Sequence, residues 1–243
     1  MGLMNKAERL ERYRWLYAGF REGWQHATAR YEAWAQSCLS SEARVLDLGC
    51  GRGGIVERLY EVGKWIGGDP DWHSLKEHRV PMLPRCQMNA ERLPYADGVF
   101  SLILASWVLE HIEHPAEFFG EVARVLRPGG AFIFLTPNAL HPIPRLSRFL
   151  ARRAHLQRRW AWWQSKRSPE DAFPVFYQAN TISTIQQIAA NSGLALVQLE
   201  LVDDPSYFVW GRLAYSLAVG LELSLPGIWR VHIVGWYTKP RWS

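Results

Sequence analysis

The stretch Val45-Leu46-Asp47-Leu48-Gly49-Cys50-Gly51-Arg52-Gly53-Gly54 decides the fold. A short apolar run ends in an acid, a glycine-dense turn follows, and Ile55-Val56-Glu57-Arg58-Leu59 then reads as a helix. Strand, loop and helix in that order form the first unit of a βαβ fold. Glycine permits a sharp turn and lets a ligand approach the backbone without a Cβ in the way. The start of the helix would aim its amides at whatever binds there. A dinucleotide loop, spaced G-x-G-x-x-G, places a pyrophosphate at that point. Here the spacing is Asp-x-Gly-x-Gly-x-Gly-Gly. The Asp47 carboxylate would repel a pyrophosphate but suits a ligand carrying an ammonium group. An ordinary tight turn remains the alternative for the loop taken alone.

Downstream, Gly63-Lys64-Trp65-Ile66-Gly67-Gly68-Asp69-Pro70 reads as a second strand, ending in an acid 22 residues after Asp47. An acid there can accept hydrogen bonds from both hydroxyls of a ribose. It could equally cap a helix. The run Gln87-Met88-Asn89-Ala90-Glu91-Arg92-Leu93-Pro94-Tyr95 leads through a turn to the apolar strand Val99 to Ala105. Leu109-Glu110-His111 and Val125-Leu126-Arg127-Pro128-Gly129-Gly130 follow.

In that order, from about Arg44 to Asn138, these segments resemble the class I S-adenosylmethionine-dependent methyltransferases, of the type 11 kind. The resemblance implies a Rossmann-like α/β fold and S-adenosylmethionine as cofactor. It places the aminoacid end of that cofactor at Asp47, Gly49, Cys50, Gly51 and Gly53, the ribose at Asp69, and the adenine near Asn89 and Ala90. Pro70, Glu91, Ser106 and Trp107 complete the implied cofactor set.

The βα alternation from Arg44 predicts a mostly parallel sheet with helices on both faces. Strands are expected at Arg44 to Leu48, Lys64 to Gly68, Arg85 to Met88, Val99 to Ala105, Ala131 to Thr136, Leu194 to Val202 and Trp229 to Thr238. Seven strands complete the sheet. A helix from Ala116 should stop at the Pro128-Gly129-Gly130 breaker. Thr181 to Ser192 reads as another, capped by Asn180 or Thr181 and ended by Gly193.

The chain has 243 residues, enough for one domain with a sizeable core. Its parts read as an N-terminal helical lid (1–40), a cofactor-binding half (41–138), a basic helical insertion (139–180) and the rest of the sheet with an apolar helical insertion (181–243). Between Tyr13 and Trp34 large apolar residues recur three to four apart, as in one or two amphipathic helices. These either pack on the sheet edge or cover the cofactor. Cys38, Cys50 and Cys86 are scattered with no C-x-x-C pair, which suits a reducing cytoplasm. No signal-peptide h-region opens the chain.

Arg145, Arg148, Arg152, Arg153, Arg158, Arg159, Lys166 and Arg167 lie in a stretch without an acid. The whole chain is formally +5, so the remainder is net −3 and the basicity is local. Leu146, Phe149, Leu150, Leu156, Trp160 and Trp163 share one arc of a helix opened by Pro144. A basic amphipathic helix with tryptophans reads as a membrane-surface element, peripheral at the inner face of a membrane. A solvated charged helix and a nucleic-acid patch are the alternatives. Tyr207 to Leu225 is apolar but broken by Arg212 and Glu222, which argues against a membrane span and for a helix over the substrate site or in the membrane interface.

Candidate catalytic groups follow strands four and five, where ligands collect in open α/β sheets. His111 and His141 are the candidate general bases. A structural Glu110-His111 pair and a surface-loop histidine are the alternatives. Some quinone-biosynthesis O-methyltransferases carry a similar Leu-Glu-His, with a further acid that helps hold a metal. Trp107 stands at that acid's position here, so no metal is expected. The Asn/Asp-Pro-Pro-Tyr/Phe of base-amino methyltransferases and the Pro-Cys of cytosine C5 enzymes are both missing. The expected activity is O-methylation of a small, glycan or lipid-linked acceptor, with nucleic acid unlikely. An RNA methyltransferase using 145–167, and a non-catalytic cofactor-binding or membrane-associated protein, are the other readings.

Overall fold

The computed structural model describes residues 6–142, 145, 173–208, 212–224 and 226–241. The basic stretch expected to meet a membrane lies almost wholly outside them.

Seven strands form one sheet: β1 (Arg44–Leu48), β2 (Lys64–Asp69), β3 (Arg85–Gln87), β4 (Phe100–Ser106), β5 (Leu126–Pro137), β6 (Ala195–Val202) and β7 (His232–Thr238). Their order is β3-β2-β1-β4-β5-β7-β6. β3, β2, β1, β4 and β5 run parallel, while β7 is antiparallel to both β5 and β6. The strand order reverses between β1 and β4, so a crevice opens beyond their C-terminal ends, where open α/β sheets bind ligands.

The central strands are mostly apolar and buried because both faces are covered. On one face Leu102, Leu104, Ile133, Leu135 and Val234 meet Ala27, Tyr31 and Ala35 of α2 (Ala27–Ser37). On the other, Ile103, Ala105, Phe132, Phe134 and Ile233 meet α5 (Pro115–Val125) and the helix Ile182–Asn191. Alternate residues of β4 and β5 thus divide between two cores, as the pleat requires. Phe118, Phe119, Phe132 and Phe134 pack mostly edge-to-face, each pair adding about 0.5–1.5 kcal/mol beyond its burial.

Three expectations are corrected. The chain from Arg127 to Gly130 does stop α5, but it is already extended: Gly129 N–H donates to Lys239 O at 2.8 Å and Lys239 N–H to Gly130 O at 3.0 Å. β5 therefore begins at Leu126. β7 begins only at His232, because Gly227–Trp229 forms a 3-10 turn. The N-terminal segment makes two helices that do not share one role. α2 packs on the sheet's face, not its edge. α1 (Lys6–Phe20) is tied to the residues after β6. There Tyr17 Oη donates to Asp203 at 2.6 Å and Arg14 Nη2 to Asp204 at 3.0 Å. β6 runs in the direction of β5, so this anchor lies on the ligand edge of the sheet.

The helix ends follow the sequence closely. Thr181 is the cap, its Oγ1 accepting from Thr184 N at 3.2 Å, and Gly193 takes a φ of 76° just beyond Ser192. We number the helices α3 (Val56–Leu59), α4 (Trp72–Lys76), α6 (Ile182–Asn191) and α7 (Arg212–Ser224) in chain order. Of the apolar run at 207–225, the described residues belong to a 3-10 turn, Pro205–Phe208, and to α7. Among the described residues no helix is long and apolar enough to cross a membrane.

Candidate functional site

The glycine loop hangs from two buried acids. Asp47 lies in β1 just before Leu48, and Asp69 ends β2 beside it. Asp69 Oδ2 accepts from Gly51 N at 2.9 Å, and Oδ1 accepts from Asp71 N at 2.8 Å. The helix-cap alternative for Asp69 does not hold: Asp71 caps α4, through His73 N and Ser74 N. Each Asp69 oxygen uses one acceptor direction on the backbone and keeps another for a ligand hydroxyl. Burial raises the Asp69 pKa, and the two backbone N–H groups and the His111 charge pull it back.

Burial, then the Asp69 charge, push Asp47 up to about 7. A carboxylate so placed gains from any cation brought beside it. Tyr31 of α2 lies within electrostatic reach, its phenol held well above its ordinary pKa by burial and then by Asp47. The Tyr31 hydroxyl is buried with no hydrogen-bond partner among the described residues. A buried orphan polar atom calls for a ligand or water. Two acids and an orphan hydroxyl around a glycine turn fit a ligand with an ammonium group and a diol. Cys50 is buried, and burial raises its thiol far from any nucleophilic state.

Asn89 and Ala90 follow β3, where Asn89 Oδ1 accepts from Glu91 N at 2.8 Å and shapes the turn. Glu91 Oε1 accepts from both Glu113 N and His114 N at 2.9 Å, which fastens the start of α5. Pro70 is exposed, and its carbonyl accepts from Gln87 Nε2 at 2.9 Å. Ser106 ends β4 and Trp107 follows with a φ of 60°. A bulky side chain in the left-handed region costs on the order of 1–3 kcal/mol, and such strain gathers at functional sites. The Trp107 ring stands edge-on to His232 at 5.1 Å.

His111 and His141 fall in different surroundings. His111 Nδ1 lies 2.8 Å from Pro174 O. A carbonyl only accepts, so Nδ1 carries a proton, and it is Nε2 that exchanges one when the ring changes charge. Beside it Glu110 is buried, and burial pushes it up to about 7 against the hydrogen bond from Thr136 Oγ1. Glu110 O also accepts from Phe176 N at 2.8 Å, so this turn holds the chain at Phe176. His141 is 1% exposed, not a surface-loop residue. Its Nε2 lies 3.4 Å from Glu222 Oε1 of α7.

Spacing had not revealed Tyr31, Glu222 or His232. Among the described residues no cluster of histidines, cysteines and acids could hold a metal ion.

The methyltransferase-domain family model matches residues 46–134, the span of this loop and its acids. Over those residues the chain matches a methyltransferase domain. A Mycolicibacterium smegmatis protein named for S-adenosylmethionine-dependent methyl transfer is 31% identical over 113 residues, 45% of this chain and 43% of that one. The fatty-acid O-methyltransferase of the same organism is 32% identical over 115 residues, 44% of this chain and 42% of its own. The matches thus span less than half the length of these relatives. The geranyl diphosphate C-methyltransferase of Streptomyces coelicolor, solved with S-adenosyl-L-homocysteine, shares the fold with a TM-score of 0.60 at 14% identity, over 87% of this chain and 80% of that one.

Proposed function

We propose that the protein transfers the methyl group of S-adenosylmethionine to an oxygen of a small, glycan or lipid-linked acceptor. One observation carries the reading: Asp47 and Asp69 flank a single glycine loop, with Gly51 N–H bonded to Asp69. In this reading Asp47 faces the ammonium of the cofactor, and Asp69 takes the ribose hydroxyls. Gly49, Cys50, Gly51 and Gly53 let the backbone come close. Pro70, Asn89, Ala90, Glu91, Ser106 and Trp107 wall the adenine and the mouth.

The bound cofactor supplies a methyl group already activated on a sulfonium. The protein has then to align the acceptor, exclude water and remove one proton. His111 offers the Nε2 lone pair near Asp69, and His141 offers a buried imidazole after β5. The acceptor class rests on the missing base-methylating motifs, and its lipid side on the apolar α7 and the tryptophan-rich basic stretch.

The test is incubation with methyl-labelled S-adenosylmethionine and cell extract, followed by separation into lipid, glycan, RNA and small-molecule fractions. Label in lipid, glycan or small molecules supports the reading. Label confined to RNA, or to no fraction, contradicts it.

A further inference from the structure

The loop after β5, the start of β7 and α7 bring a second set of polar groups together on the ligand edge. His141 is 1% exposed, His232 2% and Glu222 7%. Glu222 and His141 meet at 3.4 Å although 81 positions separate them. His232 opens β7 opposite Pro137, and its ring meets Trp107, the residue just past β4. Val108, the next residue, lies directly over Gly49 of the cofactor loop. Contacts therefore run from the cofactor loop to His232 through Val108 and Trp107, and His232 lies within electrostatic reach of His141, which faces Glu222.

Glu222 Oε1 faces His141, while Oε2 is buried with no hydrogen-bond partner among the described residues. A buried carboxylate oxygen without a donor is costly, and such groups mark places where a partner arrives. Arg21 lies within electrostatic reach of Glu222 but gives Oε2 no hydrogen bond. Arg14 is engaged by Asp204, and Arg21 is paired with Asp203. Burial lowers the His232 pKa to about 4, so that ring is neutral at ordinary pH.

We propose that Glu222 Oε2 binds the hydroxyl of the methyl acceptor and takes its proton, so that this enzyme makes methyl ethers and not methyl esters. The assignment rests on the methyltransferase reading above and names the acceptor atom within it. The acceptor oxygen forms a bond to the methyl carbon. The carbon–sulfur bond of the cofactor breaks, and its electron pair stays on sulfur. The hydroxyl proton passes to Glu222 Oε2, while Oε1 faces His141 Nε2 at 3.4 Å. A hydroxyl is a donor, so it satisfies Oε2. A carboxylate acceptor has no proton to give and would meet the Glu222 charge in a buried place, which costs heavily. That separates this chain from a relative named for fatty-acid O-methylation.

The experiment uses the full chain, methyl-labelled S-adenosylmethionine and total cell extract. Labelled products are treated with mild alkali, which cleaves methyl esters and leaves methyl ethers. Labelling by the unaltered chain in the lipid, glycan or small-molecule fraction first establishes transfer itself. The proposal expects that label to be alkali-stable. Glu222→Gln should lower its rate by at least about 10²-fold, within the range for loss of a positioned base. The variant's melting temperature and affinity for S-adenosyl-L-homocysteine should stay unchanged, and Glu222→Asp should recover part of the rate. Alkali-labile label from the unaltered chain overturns the proposal even if Glu222→Gln fails to fold. So does alkali-stable labelling that Glu222→Gln leaves intact. No label in any fraction overturns the methyltransferase reading along with it.

Discussion

Val108 closes over Gly49 so tightly that a Cβ on Gly49 would stand 2.3 Å from Val108 Cγ2. Gly49 also takes a φ of 69°, which a side chain adopts only under strain. Gly49→Ala should therefore lower the melting temperature as well as cofactor affinity, with a stability loss on the order of 1–3 kcal/mol. Gly54 has an ordinary backbone and nothing within 4 Å of a Cβ. Gly54→Ala should melt like the unaltered protein. Thermal denaturation checks both, and a Gly49→Ala protein of unchanged stability would contradict the packing described.

Asp47 and Glu110 give the unliganded protein a characteristic response to pH. Burial raises the pKa of both in the folded chain to about 7. An acid whose folded pKa is raised stays protonated in the fold while the unfolded chain ionises. Stability from these two groups is therefore intact below about pH 4 and falls between about 4 and 7, by up to about 3–4 kcal/mol each. Asp47→Asn should remove its share of the slope and raise the melting temperature at pH 8, in absence of cofactor. Melting curves from pH 4 to 8 check this. Equal slopes in the two proteins would show that Asp47 is ionised in the fold.

The Nδ1 contact of His111 with Pro174 O makes a separate prediction. If His111 Nε2 takes the acceptor proton, His111→Ala should cost about 10²–10⁴ in turnover while cofactor binding persists. If Glu222 takes it, as inferred above, His111→Ala should instead act chiefly on cofactor affinity through the nearby Asp69. Turnover and S-adenosyl-L-homocysteine affinity measured on the same variant separate the two roles.

Much of the cofactor half was legible because its signals are local. β1 and β4 are mostly apolar runs, and the glycine turn and both its acids fall within one βαβ unit. The Gly51–Asp69 bond joins residues only 18 apart. The acceptor side gave no such signal. Glu222 reads in sequence as a charge that spoils an apolar helix, and only the fold brings it against His141. Asp203 and Asp204 look like a polar turn after β6, yet they anchor α1 through Tyr17 and Arg14, more than 180 positions away. Tyr31 appears as one aromatic of an amphipathic helix, and nothing local shows that it comes within electrostatic reach of Asp47. Such pairings depend on helix placement over the sheet, which spacing does not encode.

The basic stretch from Arg145 to Arg167 supports a prediction from sequence alone. Each arginine near an anionic surface contributes about 1 kcal/mol, so a few engaged residues hold the protein reversibly. Vesicles rich in anionic lipid should bind the protein at low salt, and changing Arg152, Arg153, Arg158 and Arg159 to Glu should abolish flotation. Absence of binding at low salt would remove the membrane from the account.

The most direct measurement is calorimetric titration of S-adenosyl-L-homocysteine into the unaltered protein and into Asp69→Ala. The account predicts one site per chain and an affinity at least tenfold weaker in the variant, equal to about 1.4 kcal/mol, a modest value for hydrogen bonds to a charged group. Equal affinities, or no binding to the unaltered protein, would contradict the placement of the cofactor at this loop.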